Sequence, residues 1–163
     1  MQAPKQINSR GVQAGRALLL AGLTTLSLLF SWSAHALEFR SVNVPKVILY
    51  DAPSLEAGKV YLLSSGYPVE VIVNLGEWIK IRDHFGALSW VQGKQLSAKR
   101  TALVLADQTE IRQLDNEQSP LVATVEKDVV LEVLTPTAKN GWVKVKHKDG
   151  ITGYIQTHAV WGL

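Results

Sequence analysis

Hydrophobic positions from Val44 onward fall in short runs, and polar, glycine- or proline-bearing turns break them apart. Val44–Tyr50, Lys59–Leu63, Val69–Val73, Trp78–Arg82 and Ala87–Val91 are rich in β-branched and aromatic residues. Ala52-Pro53-Ser54, Ser65-Gly66-Tyr67-Pro68, Asn74-Leu75-Gly76 and His84-Phe85-Gly86 stand between them as turn chemistry. The pattern then repeats with Thr109–Gln113, Val122–Val125, Val129–Leu134, Trp142–Lys146 and Ile151–Ile155. Its breaks are Asp115-Asn116, Ser119-Pro120, Pro136 and Asp149-Gly150. After residue 36 no stretch carries an extended apolar pattern at helical spacing. Two sets of five short strands, each in about 60 residues, predict two small closed β-barrels, because closure hides edges that would otherwise aggregate.

The two sets are copies. Trp78-Ile79-Lys80-Ile81-Arg82 lies over Trp142-Val143-Lys144-Val145-Lys146, each reading aromatic, aliphatic, cation, aliphatic, cation. Gly86 and Gly150 follow at the same spacing, and Trp90-Val91-Gln92 matches Tyr154-Ile155-Gln156. Upstream, Val69-Glu70-Val71-Ile72 matches Leu131-Glu132-Val133-Leu134. An offset of 62 to 64 residues is long for a solenoid unit and suits a duplicated small domain. The connector Ser97-Ala98-Lys99-Arg100 is very short, and the ending Val160-Trp161-Gly162-Leu163 is apolar. Small barrels bury little surface alone, so the copies are predicted to share an interface into which the last residues dock.

Alternation along a strand sends Ile79 and Ile81 to one face and Trp78, Lys80 and Arg82 to the other. Val143 and Val145 likewise oppose Trp142, Lys144 and Lys146. An aromatic grouped with cations can stack on a sugar ring or apolar stem while a lysine meets a carboxylate. Trp78, Lys80 and Trp90 in the first copy, and Trp142, Lys144 and Tyr154 in the second, are therefore candidate ligand-binding residues. A second role stays open for each Trp: strands of small barrels curl strongly, and an outward Trp can cap the barrel end as core. The cationic neighbours of Trp142 favour an outward ring, so Trp142→Ala is expected to fold.

The motifs resemble those of a bacterial SH3 domain. Leu49-Tyr50-Asp51-Ala52-Pro53-Ser54, Gly66-Tyr67-Pro68-Val69-Glu70-Val71 and Trp78-Ile79-Lys80-Ile81-Arg82 with Gly86 and Trp90 carry the likeness in residues 43–97. Gly141-Trp142-Val143-Lys144-Val145, Asp149-Gly150 and Gly153-Tyr154-Ile155 carry it in 103–160. Two departures stand out. Ser89 replaces the glycine seen as Gly153, and Leu114-Asp115 replaces Ala52-Pro53, so the opening loops differ in shape. The resemblance implies an all-β fold of two tandem SH3-like barrels and binding to cell-wall peptides or glycans.

The first 36 residues read as an export signal. Lys5, Arg10 and Arg16 precede Ala17–Phe30, a 14-residue run without charge, and Ala34-His35-Ala36 places small residues before a cut between Ala36 and Leu37. A membrane span needs about 20 apolar residues, so cleavage is expected rather than anchoring. The organisation is thus 1–36 signal peptide, 37–98 first domain and 101–163 second domain, in a periplasmic or secreted protein with no transmembrane span after processing.

Charge and chemistry narrow the function further. Subtracting the three signal cations from 17 Lys+Arg leaves 14, against 14 Asp+Glu, so the remainder is neutral. A neutral body has no global field to hold a polyanion, which argues against nucleic acid. With no cysteine there is no disulfide framework, thiolate metal site or cysteine nucleophile. His84, His147 and His158 show no metal-ligand spacing. Asp83 and Asp149 read as turn formers. No catalytic residue, metal or cofactor is expected. The predicted role is a non-enzymatic binding protein for a cell-envelope ligand such as peptidoglycan stem peptide or glycan. The alternative is an adaptor that takes a partner protein's extended segment.

Overall fold

A computed structural model describes residues 37–135 and 137–163; the export signal and its cleavage site lie outside them. Each copy forms seven antiparallel strands. The first holds β1 (Phe39–Val42), β2 (Lys46–Tyr50), β3 (Lys59–Ser64), β4 (Pro68–Asn74), β5 (Trp78–Arg82), β6 (Leu88–Gln92) and β7 (Leu96–Ser97). The second holds β8 (Thr101–Val104), β9 (Gln108–Arg112), β10 (Leu121–Glu126), β11 (Val130–Val133), β12 (Trp142–Lys146), β13 (Thr152–Gln156) and β14 (Val160–Trp161). The strand orders are β3-β2-β6-β5-β4-β1-β7 and β10-β9-β13-β12-β11-β8-β14, so the second sheet repeats the first position by position. A single 3-10 turn precedes the last strand of each.

The inward residues are those that alternation selects. Val47, Leu49, Ile79, Ile81 and Val91 are fully buried in one barrel, and Ile111, Leu131, Val143, Val145 and Ile155 are almost so in the other. Each side chain contributes about 1.5–3 kcal/mol by leaving water. The matching turns after β5 and β12 close on Gly86 and Gly150, at φ of 85° and 90°, a conformation that favours glycine. Asp83 does form its turn: its carboxylate accepts the Phe85 and Ala87 backbone N–H groups, both at 2.9 Å.

Beyond the five predicted strands per copy, the structure adds β1 and β7 in the first barrel and β8 and β14 in the second. Two residues are too few to show a period. Thr101–Val104 is buried throughout, so no exposed polar position marks an alternation.

The barrels share an interface in which the ends cross over. Trp161 on β14 packs edge-to-face on Phe39 of β1, with centroids 5.1 Å apart, and lies 6.3 Å from the His84 ring. Arg100 sits 5.6 Å over the Phe39 ring and donates to the Gly162 carbonyl at 3.2 Å. In the other direction Lys99, just past β7, pairs with Glu132 on β11 at 2.8 Å. Between them the buried hydroxyls of Ser41 and Thr101 lie 2.7 Å apart, backed by the Lys99 and Gly66 carbonyls at 2.5 and 2.6 Å. The apolar ending therefore docks as its composition predicts.

Candidate functional site

Cross-strand partners in an antiparallel sheet share a face, which assembles the same outer strip on both barrels. In the first, Tyr50 pairs with Trp90 and Trp90 with Lys80, while Trp78 pairs with Gln92 in the adjoining row. In the second, Arg112 pairs with Tyr154 and Tyr154 with Lys144, beside Trp142 paired with Gln156. The six candidates thus come together as two sets of three. Lys80 Nζ stands 5.9 Å from the Trp90 ring centre and Lys144 Nζ 5.9 Å from that of Tyr154, each within range of a cation–π contact. Trp90 and Tyr154 are half-buried, each keeping part of its surface open to solvent.

Trp78 and Trp142 take the packed role left open for them and not that of a fully outward ring. They sit on the cation face, yet only 9% and 8% of their surface remains exposed. The strip is concave enough that the neighbouring strand covers them. Tyr50 meets Trp78 edge-on at 5.4 Å with planes at 89°. Trp142 forms the floor of a groove whose walls come from β9, β10 and the loop between them. Alternation identifies the face but carries no information about its curvature. The two indoles are packed residues, so Trp142→Ala is expected to cost stability where an outward ring would not.

That groove, about 600 Å³, is walled by Gln108, Glu110, Arg112, Glu117 and Gln156 around Trp142. Its polar groups brace one another. Arg112 pairs with Glu110 and donates to the Ser119 carbonyl at 2.7 Å, and Gln156 donates to Glu117 at 3.2 Å. Ser119, itself buried, holds the loop by accepting the Leu114 N–H at 2.7 Å. Both signs of charge therefore stand at fixed positions over an aromatic floor. Sequence reasoning missed Glu110 and Arg112. The signal was the offset of 62, which sets them against Ile48 and Tyr50.

The first barrel turns the same strip apolar. Ile48 and Leu62 occupy the places of Glu110 and Thr124, and a hollow of about 210 Å³ lies among Ile48, Lys59, Val60, Tyr61 and Leu62. Val60 and Leu62 are about half exposed on β3, which ends its sheet. On the opposite side of β3, Tyr61 donates to Asp83 and Tyr67 meets His84 Nδ1. Burial, and for Tyr61 the adjoining Asp83 carboxylate, raises both phenols: Tyr61 above the ordinary tyrosine range and Tyr67 to about 12. Among the described residues no three histidine, aspartate or glutamate side chains converge as a metal site.

The fold is thus that of a tandem pair of seven-stranded small barrels, each with an aromatic-and-cation strip on the same strands. The family model for the bacterial SH3 domain matches residues 43–98 and again 107–162, and the chain belongs to that family. No curated protein matches the chain. Among solved structures it is similar to NlpC2 from Trichomonas vaginalis, at 16% identity and a TM-score of 0.37, covering 79% of this chain and 49% of that one. It is also similar to NlpC1 from the same organism, at 17% identity and a TM-score of 0.36, covering 80% and 47%. An NlpC/P60 family protein from Bacillus cereus gives 14% identity and a TM-score of 0.36, covering 76% and 55%. The chain thus spans about half the length of these structures.

Proposed function

We propose that this chain is an exported, non-enzymatic binding protein that recognises a cell-envelope ligand, peptidoglycan stem peptide or glycan, through the outer strip of the second barrel. The groove floored by Trp142 carries the reading. Tyr154 offers a ring face for a sugar or apolar stem, Lys144 and Arg112 meet carboxylates, and Glu110 and Glu117 accept amide or ammonium donors. A peptide with amides and free charges of both signs matches that set. Membership in the bacterial SH3 family supports an envelope ligand. Trp90 and Lys80, over Trp78, supply a weaker counterpart on the first barrel.

Co-sedimentation with purified cell wall tests the proposal. Wild-type protein should pellet, and Tyr154→Ala should remain folded yet stay in the supernatant. Equal sedimentation of the two proteins would remove the outer strip of the second barrel from the reading. The β3 edge, with Val60 and Leu62 exposed beside an apolar hollow, favours a second reading as an adaptor for an extended partner segment. Failure of the wild type to sediment would favour it. Export itself is tested by mass spectrometry of envelope fractions, which should recover a chain beginning at Leu37.

A further inference from the structure

The crossed ends of the two barrels are chemically unequal, and the difference leaves an open basic cleft. On the first barrel the place beside Glu70, Arg82 and His84 is closed. Arg82 pairs across the strands with Glu70 at 3.1 Å, and Trp161 covers Phe39 and His84. The offsets of 62 and 64 identify the reciprocal place on the second barrel, where Thr101 replaces Phe39, Lys146 replaces Arg82 and Lys148 replaces His84. The residue that would fill it, equivalent to Trp161, is Ser97. A cleft of about 330 Å³ therefore remains, lined from one barrel by Gly66 and from the connector by Lys99, and by Thr101, Glu132, Lys146 and Lys148 of the other.

Its charges do not balance. Glu132 stands opposite Lys146 in the strand register, as Glu70 stands opposite Arg82, but the Glu132 carboxylate is taken by Lys99 from the connector. Lys146 and Lys148 make no ion pair among the described residues. Asp149, next to Lys148 in the chain, turns to His147 at 3.2 Å. Three lysines thus face one carboxylate across a concave junction, in a body whose overall charge beyond residue 36 is zero. Concave sites at domain junctions concentrate field and hold ligands.

We infer that this cleft is an anion site for a multiply charged oxyanion, phosphate being the simplest, and that it is separate from the Trp142 groove. A tetrahedral anion would satisfy Lys146 and Lys148 together and be gripped by Lys99 from the connector, so it would tie the two barrels at their open side.

The test is a titration of the purified chain with inorganic phosphate, followed by amide NMR at ionic strength held constant with chloride. Saturable shifts should centre on Gly66, Lys99, Thr101 and Lys146–Lys148. The double variant Lys146→Gln, Lys148→Gln should bind about tenfold or more weakly, while Lys94→Gln, at an exposed lysine outside the cleft, binds as wild type. Both substituted lysines are exposed, so the melting temperature of the double variant should match the wild type. A parallel arm uses phosphatidylglycerol and phosphatidylcholine vesicles. Co-sedimentation with the former alone, lost in the double variant, would assign the anion as a lipid headgroup, and phosphate binding without sedimentation would assign it as soluble. Shifts spread evenly over all lysines, failure to saturate, or unchanged affinity in the double variant would overturn the site.

Discussion

The two barrels share a strand order and a register yet present opposite chemistry on the same strip. In the first, Tyr50 leans on Trp78 and Ile48 and Leu62 continue an apolar surface. In the second, Arg112 and Glu110 replace them and open a polar groove above Trp142. The inward aliphatics that fill each barrel do not include these side chains, and the ladder uses only their backbones. Divergence there leaves the fold untouched, so a duplicated scaffold can keep one core and carry two surfaces.

The largest effect should come from the shared element. Trp142→Ala and Trp78→Ala should each lose about 3–5 kcal/mol in chemical denaturation, the range for truncating a packed Trp. A loss below about 0.5 kcal/mol, the level of a surface change, would restore the outward ring and erase this likeness between the barrels. Next is Trp161→Ala, which uncovers Phe39 and should cost roughly 1–3 kcal/mol. It should also split one unfolding transition into two, and a single unshifted transition would mean the barrels are not coupled there.

A third outcome separates the barrels by pH. Tyr67 is raised to about 12 and Tyr61 is raised further in the first barrel, whereas Val129 and Ala123 stand at those positions in the second. Above the unfolded tyrosine value of about 10, the unfolded chain releases protons that the folded phenols retain. The stability they contribute is complete below that pH and is lost as pH rises toward and through 12. Melts across this window should show the first barrel falling, and Tyr61→Phe with Tyr67→Phe should flatten the fall. The smallest effect is Lys144→Gln, expected to change stability by less than about 0.5 kcal/mol while lowering wall capture and its sensitivity to salt.

Much of the architecture was legible because the inward positions obey a period of two. Ile79 and Ile81, then Val143 and Val145, are buried where alternation puts them. The duplication was legible from the spacing of Trp78 to Trp90 and Trp142 to Tyr154. The candidate site was half legible: its face follows from period, and its depth does not. Curvature, set by strands that pair across long gaps in sequence, buries Trp142 and brings Glu117 from a loop to Gln156. Arg112 carried no mark within its own strand; only comparison with Tyr50 makes it stand out. The crossed ends were legible in kind from an apolar tail, but not in target, since nothing near Trp161 in sequence names Phe39.

The meeting of Trp161 with Phe39 joins residues 122 positions apart, one near the start of the described chain and the other near its end. In order of synthesis the first barrel can complete its own sheet long before its partner's tryptophan exists. Until then Phe39 lacks its edge-on partner, and the early barrel is left short of its final stability. A chain threaded outward from its N-terminus would meet the same delay on the far side. The final clasp is thus a late event, closing only once the last strand of the second barrel has been made.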